Sequence, residues 1–265
     1  MKIIEAFIEG KFADTTRCED GLYIGNHFVA VIDGVTSKGQ QLWEGVSSGV
    51  WAKNRIMKFL QNVDIADFTA ETLFQALSAT IYMEHVSIEE IPRASVVLYS
   101  DIHHEVWSYG DCQFKIVGKE AVTSVKPIDT LLSTLRSFLI ESFLKSGVTV
   151  NQLLKNDQSR DALAPYLYKQ FQFENCSEVF GYPVLNGQMI NSSQIICYSV
   201  EPGQELILAT DGYPFLRDTL EASEGELLKL ITQDPLCYNI FRSTKGMYKN
   251  QVSFDDRTYC RIEIQ

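Results

Sequence analysis

Strand-like and helix-like segments in this chain come in clusters, without strict alternation. Residues 1 to 10 read as a first strand, and "GLYIGNHFVAVID" (21–33) reads as a hairpin turning at Gly25-Asn26. Helical spacing then takes over, with Leu42, Val46, Val50, Ile56, Phe59 and Leu60 recurring roughly at three and four across 42–60. A second helix fits 69–87, with Thr69 as N-cap and Glu71 in its first turn. Strands return at 94–100 and 105–110 and in "QFKIVG"; an amphipathic helix over 129–146 is closed by Gly147. A helical stretch at 151–170, strands near 188–200 and over 204–212, a helix around 223–233 and a strand over 257–264 complete the chain. Such grouping predicts an α+β arrangement rather than a regular βαβ winding. No Pro/Gly/Ser-rich linker interrupts it, so residues 1–265 read as one domain.

The bulk numbers narrow the function. A hydrophobic content of 45% can build a sizeable core. A formal net charge of −11 opposes non-specific nucleic-acid binding, which depends on Lys and Arg neutralising phosphates, and opposes docking on anionic membranes. It leaves room for a phosphorylated substrate if bound cations reverse the local sign. Six cysteines carry no C-x-x-C, the N-terminus meets charge too early for a signal peptide, and no apolar run reaches membrane-spanning length. Reduced thiols and a cytoplasmic location are expected.

Three apolar runs meet a carboxylate at one end. "FVAVI" leads into Asp33-Gly34, "ELILAT" leads into Asp211-Gly212, and Asp255-Asp256 stand before "RTYCRIEI". Glu19-Asp20 opens the strand "GLYIG", and Asp111 follows "SYG". One strand-end Asp is ordinarily a turn residue accepting backbone hydrogen bonds. Several that converge repel each other, by roughly 4 kcal/mol for two charges ~4 Å apart at an effective dielectric near 20. A cluster of that kind needs cations, and an oxygen-only donor set suits Mg²⁺ or Mn²⁺ better than zinc. Gly34 lacks a Cβ, which lets its backbone approach an ion.

Six blocks occur in order: "ED" (19–20), "VIDG" (31–34), "ASVV" (94–97), "YGD" (109–111), "LATDG" (208–212) and "DDRT" (255–258). In wording and order they resemble the sequence blocks of the PP2C-type, or PPM, metal-dependent serine/threonine protein phosphatases, as a divergent, bacterial-like member would. The resemblance spans about residues 15 to 264, and the small-residue helix after Gly34 is also similar to the family's. It implies a β-sandwich of two antiparallel sheets with helices on both outer faces, and a site for two Mg²⁺ or Mn²⁺ ions at one end. By the same resemblance Asp33 would bridge the ions, Asp211 and Asp255 would hold one, and Glu19, Asp20 and the Gly34 carbonyl would serve the other. Asp33 and Asp211 would be the catalytic pair, acting on water activated by the two ions. Asp111 would be a ligand of a third ion.

The chain also departs from the pattern. Where the family places a phosphate-binding Arg it has Thr15, so Arg17 is the nearest candidate for that role and Lys11 another. Val35 and "TSKG" follow Gly34 in place of the usual His or Met and a glycine pair, and Phe215 stands where a third ion's second ligand would be. Residues 120–200 correspond to the family's variable flap and carry no readable motif, which makes them the expected seat of specificity.

Rival motifs fail on their own terms. "GVSSG" (45–49) matches the serine-hydrolase elbow, but no apolar strand precedes it and no His lies beyond His104. A D-x-D-G-T phosphoaspartate reading requires Asp where Val31 stands, and no P-loop or dinucleotide fingerprint occurs. His103-His104 read as solvated loop residues, and Trp43, Trp51 and Trp107 as packing aromatics. The expectation is a metal-dependent phosphatase acting on phosphoserine or phosphothreonine in proteins. The alternative is a catalytically weak or inactive binding or regulatory protein on the same scaffold.

Overall fold

The strand Phe28–Val35 (β3) shows how the layers are made. Phe28, Ala30 and Ile32 enter one apolar cluster, whereas Val29 and Val31 enter another. Side chains alternate across a strand, so both faces of β3 are covered. The computed structural model describes all of residues 1–265, and the strand Glu205–Ala209 (β9) repeats the device. There Leu206 and Leu208 share the inner cluster with Val29 and Val31, while Ile207 and Ala209 face outward into a third. Continuous apolar runs thus mark strands inside a four-layer stack, since a half-solvated sheet would alternate with polar residues.

Two five-stranded antiparallel sheets form the middle layers. In the first, Lys2–Glu9 (β1) pairs with Arg257–Glu263 (β10), which pairs with β9, then Gln113–Ile116 (β6) and Val122–Thr123 (β7). The second runs Asp20–Ile24 (β2), β3, Arg93–Ser100 (β4), Glu105–Tyr109 (β5) and Ile196–Ser199 (β8). Ser48–Leu60 (α1) and Ala70–Thr80 (α2) cover the outer face of the second sheet through Trp51, Ile56, Leu73 and Phe74. Leu220–Gln233 (α6) covers the first through Leu227 and Leu230. Each such side chain contributes about 1.5–3 kcal/mol on burial. The α+β sandwich with helices on both faces is therefore observed.

Between β7 and β8 lie Pro127–Lys145 (α3), Val150–Leu153 (α4) and Gln158–Lys169 (α5). Ile128 and Leu132 of α3 pack on Leu163 and Leu167 of α5, beneath Tyr182 and Val184. No helix is long and apolar enough to cross a membrane.

Boundaries differ from the sequence reading where polar caps cut the apolar period. The helix expected over 42–60 begins at Ser48, because Glu44 and Gly45 take positive φ (51° and 84°) in a turn closed by a Trp43–Val46 bridge. Thr69 caps α2 as expected, in a capping box with Thr72, but the helix ends at Thr80. The stretch 151–170 divides where Asp157 accepts from the Arg160 N–H and caps α5. Of the strand expected near 188–200, only Ile196–Ser199 pairs.

Candidate metal centre

Antiparallel pairing brings the acidic strand ends to one end of the sandwich. The end of β9 lies beside the start of β10, with Ala209 opposite Tyr259, which places Asp211 near Asp255. The end of β3 lies beside the start of β2, with Asp33 opposite Asp20, and Asp111 follows β5. Glu19, Asp33, Gly34, Asp111, Asp211 and Asp255 line one cleft of about 620 Å³. The segment between β7 and β8 contributes Lys126, Asp129, Thr130, Ser133 and Arg160 to the same lining.

The carboxylates fall into two groups. Asp33, Asp111 and Asp211 receive no hydrogen bond on their side chains and form no salt bridge. Burial, followed by the charges of Asp211, Asp20, Asp111 and Asp255, holds Asp33 well above the usual carboxylate range. Burial and then Asp255 and Asp111 push Asp211 up to about 7. Raised values of this kind are the signature of acids that lack a countercharge.

Glu19 and Asp255 are by contrast already partnered. Glu19 accepts from the Ser47 hydroxyl at 2.6 Å, from the Thr36 hydroxyl, and from the Lys11 ammonium at 3.4 Å. Lys11 also reaches Asp255 at 3.5 Å and Asp256 at 3.3 Å, and its backbone N–H donates to Asp256 at 2.8 Å. Lys245 pairs with the other Asp255 oxygen. Burial would raise Asp255, but Lys245 and Lys11 outweigh it and hold the carboxyl below its ordinary value. Burial alone would lower Lys11, yet Asp255, Glu19 and Asp256 hold it far above the ordinary lysine value.

Two predicted site residues lie elsewhere. Asp20 is buried and accepts from the Thr210 and Thr258 hydroxyls at 2.7 and 3.0 Å, so it braces the second sheet to β9 and β10 instead of facing the cleft. Arg17 is exposed, with its guanidinium 4.2 Å over the Phe12 ring and outside the cleft lining. Asp111 does face the cleft, while Phe215 packs against Phe241. Gly34 meets a tighter constraint than expected. A Cβ there would stand 2.2 Å from the Gly49 carbonyl oxygen, so the glycine is needed for the close crossing of β3 and α1.

The donors test differently against a divalent cation. Three unpartnered carboxylates beside a backbone carbonyl are chemically suited to a hard ion. Yet no three acidic, thiol or imidazole side chains stand close enough together to form a ready cage, and the Glu19–Asp255 side already carries an ammonium. By donor chemistry and lack of a countercharge the residues therefore suit an ion on the Asp33–Asp211 side once their carboxylates draw together, and suit one beside Glu19 only if Lys11 gives way. Sequence reasoning noted Asp256 but gave it no role, and missed Lys245, Lys38 and Arg160. Lys245 and Lys38 sit in "TKG" and "SKG" loops that have no periodicity to flag them, and Arg160 reads as an ordinary helix-surface residue.

No protein-family model matches the chain, and no curated protein sequence does. Among solved structures the chain is similar to the serine/threonine phosphatase PstP/Ppp of Mycobacterium tuberculosis, at 14% identity over 100% of both chains with a TM-score of 0.50. It is similar to the serine/threonine phosphatase Stp1 of Staphylococcus aureus, at 13% identity over 98% of this chain and 94% of that one, with a TM-score of 0.52. The PPM phosphatase MsPP of Mycobacterium smegmatis, in complex with cacodylate, matches at 11% identity over 100% of both chains with a TM-score of 0.50. The chain thus has the PP2C-type fold of the bacterial PPM serine/threonine phosphatases it resembles.

Proposed function

We propose that the protein is a Mg²⁺- or Mn²⁺-dependent phosphatase that hydrolyses phosphoserine or phosphothreonine on proteins, with residues 1–265 acting as one catalytic domain. The observation that carries this reading is the set of unpartnered carboxylates, Asp33, Asp211 and Asp111, at the sandwich end of a PP2C-type fold. A bound divalent cation would supply Lewis acidity, activating water and offsetting phosphoryl charge. Asp33 and Asp211 would hold such an ion, Asp33 fixed by pairing on both sides within β3 and Asp211 set two residues past the end of β9. Gly34 would lend its carbonyl, and Glu19 and Asp255 would join a second ion in exchange for Lys11. Asp111 would serve a third ion at most weakly, since Phe215 offers no second oxygen. The flap wall formed by α3 and α5 would select the phosphoprotein, and six free cysteines suit a reducing, cytoplasmic setting.

The second reading, a binding or regulatory protein with weak turnover, is favoured by one observation: Lys11 and Lys245 already neutralise part of the acid cluster. Hydrolysis of p-nitrophenyl phosphate and a phosphothreonine peptide, measured with Mn²⁺, with Mg²⁺ and with EDTA, separates the two. Metal-dependent turnover that disappears in Asp211→Ala is expected. Equal activity in that variant would sink the mechanism, and absent turnover with metal binding retained would favour the second reading.

A further inference from the structure

The cleft holds more cations than its carboxylates use. Lys11 and Lys245 are spent on Glu19, Asp255 and Asp256, and Lys126 pairs with Asp129 at 3.3 Å while lying over the Tyr182 ring. Lys38 and Arg160 differ, as does Arg242, which lines the cleft without a partner but stands exposed at its rim. Arg160 has a single acceptor, the Thr244 carbonyl at 2.5 Å, and no carboxylate partner. The Lys38 ammonium has no protein partner at all.

The backbone of Lys38 is nevertheless fixed from two sides. Its N–H donates to the Glu89 carbonyl at 3.0 Å, and its carbonyl accepts from the Tyr168 hydroxyl at 3.0 Å. The preceding Ser37 N–H donates to the Ser48 hydroxyl at 2.6 Å. Tyr168 and Arg160 both belong to α5, so one helix anchors the lysine loop and supplies the second charge. A cationic side chain on a clamped backbone, half-enclosed beside a like charge, is arranged for an anion that the protein does not supply. Burial and the nearby Arg160, Lys245 and Lys126, opposed by Asp129, push the ammonium down to about 7. An anion would relieve that repulsion.

We infer that Lys38 and Arg160 form an anion subsite that takes the phosphate dianion of the substrate, in place of an arginine at position 15. This inference rests on the phosphatase reading for its biological meaning, but binding of phosphate without metal tests it separately from turnover. Lys38 leaves the loop just after β3 and lines the same cleft as Asp33, so a phosphate held there faces the carboxylate end of the sandwich. Arg17, the candidate from sequence, is turned onto Phe12 instead.

The test is calorimetric titration of the full chain with inorganic phosphate in EDTA, repeated with a phosphothreonine peptide and with the same peptide unphosphorylated. Phosphate and phosphopeptide should bind the wild type and Arg17→Met alike, and the unphosphorylated peptide should not bind. Lys38→Met should weaken both anions by roughly tenfold or more, since a charge-assisted hydrogen bond is lost. That variant removes no protein contact, so it should keep its fold; Arg160→Met, which frees the Thr244 carbonyl, serves as a second arm with its melting curve checked. Unchanged binding in Lys38→Met, loss of binding in Arg17→Met, or no metal-free binding by the wild type would each overturn the assignment. Phosphate binding that follows Lys38 while turnover is absent would support the subsite and count against the enzyme.

Discussion

Asp20 and Asp33 stand directly opposite each other in the β2–β3 register, yet their carboxyl groups have opposite surroundings. Asp20 takes two threonine hydroxyls and is sealed in the core, whereas Asp33 takes none and faces the cleft. Substituting each should therefore do different damage. Asp20→Ala leaves the buried Thr210 and Thr258 hydroxyls without their acceptor, a loss that relief of burial and of repulsion from Asp256 and Asp255 offsets only in part, and should cost about 2 kcal/mol of stability. Asp33→Ala relieves repulsion from Asp211, Asp20, Asp111 and Asp255, and should leave stability near wild type while turnover falls to background. Urea denaturation of both variants beside a phosphatase assay checks the contrast; a strongly destabilised Asp33→Ala would show the carboxylate to be structural.

Lys11 acts as a resident countercharge for Glu19, Asp255 and Asp256. Removing it should expose their mutual repulsion. Without metal, Lys11→Met should lose about 3 kcal/mol, the lower end of what breaking one side of a buried ion pair costs. The same three acids then need an external cation. Mn²⁺ should raise the melting temperature of Lys11→Met by more than that of wild type, since binding to the folded state alone stabilises it. An equal shift in the two proteins would mean that the ammonium and the ion do not compete.

Much of this was legible in the sequence, for identifiable reasons. Asp33, Asp211 and Asp255 announce themselves because each ends or begins an apolar run, and strand pairing turns that local pattern into shared position. Glu19 carries the same signal but not its surroundings. Whether a carboxylate stays free depends on side chains distant in sequence, such as Thr258 for Asp20 or Lys245 for Asp255. The segment 120–200 resisted reading for the same reason. Arg136 is fully buried in α3, where it binds Asp157 and the carbonyls of Leu236, Cys237 and Ser243, contacts that no periodicity encodes.

The Gly34–Gly49 crossing makes a steric prediction independent of any ion. A Cβ on Gly34 meets the Gly49 carbonyl oxygen at 2.2 Å and the Glu19 carbonyl oxygen at 2.8 Å, both backbone atoms that cannot swing aside. A Cβ on Gly49 meets the Gly34 carbonyl at 2.6 Å and the Glu19 carboxylate at 2.4 Å. Either Gly→Ala change should cost about 1–3 kcal/mol through overpacking, with β3 and α1 pushed apart. Gly225→Ala on α6, where a Cβ meets nothing within 4 Å, is the control and should be neutral or stabilising. Chemical denaturation of the three variants reads the difference. Wild-type stability in Gly34→Ala would mean that the crossing is looser than its geometry.

Lys38 gives a pH signature whose sign follows from its surroundings. Its folded-state value is depressed from 10.5 to about 7, so between those limits the unfolded chain binds the proton more readily than the folded one. Stability from this group therefore rises with pH across the window. Below pH 7 the charged ammonium imposes its full penalty against Arg160, Lys245 and Lys126; above 10.5 both states are neutral and the penalty is gone. Lys38→Met removes the penalty at every pH. It should melt higher than wild type at pH 6, and the gap should narrow steadily as the buffer is taken toward pH 10. Sulfate, which does not titrate in this range, should narrow the gap at pH 6 by occupying the wild-type subsite. A gap that is constant with pH would show that the lysine is not held among like charges, and a gap indifferent to sulfate would deprive the subsite of its ligand.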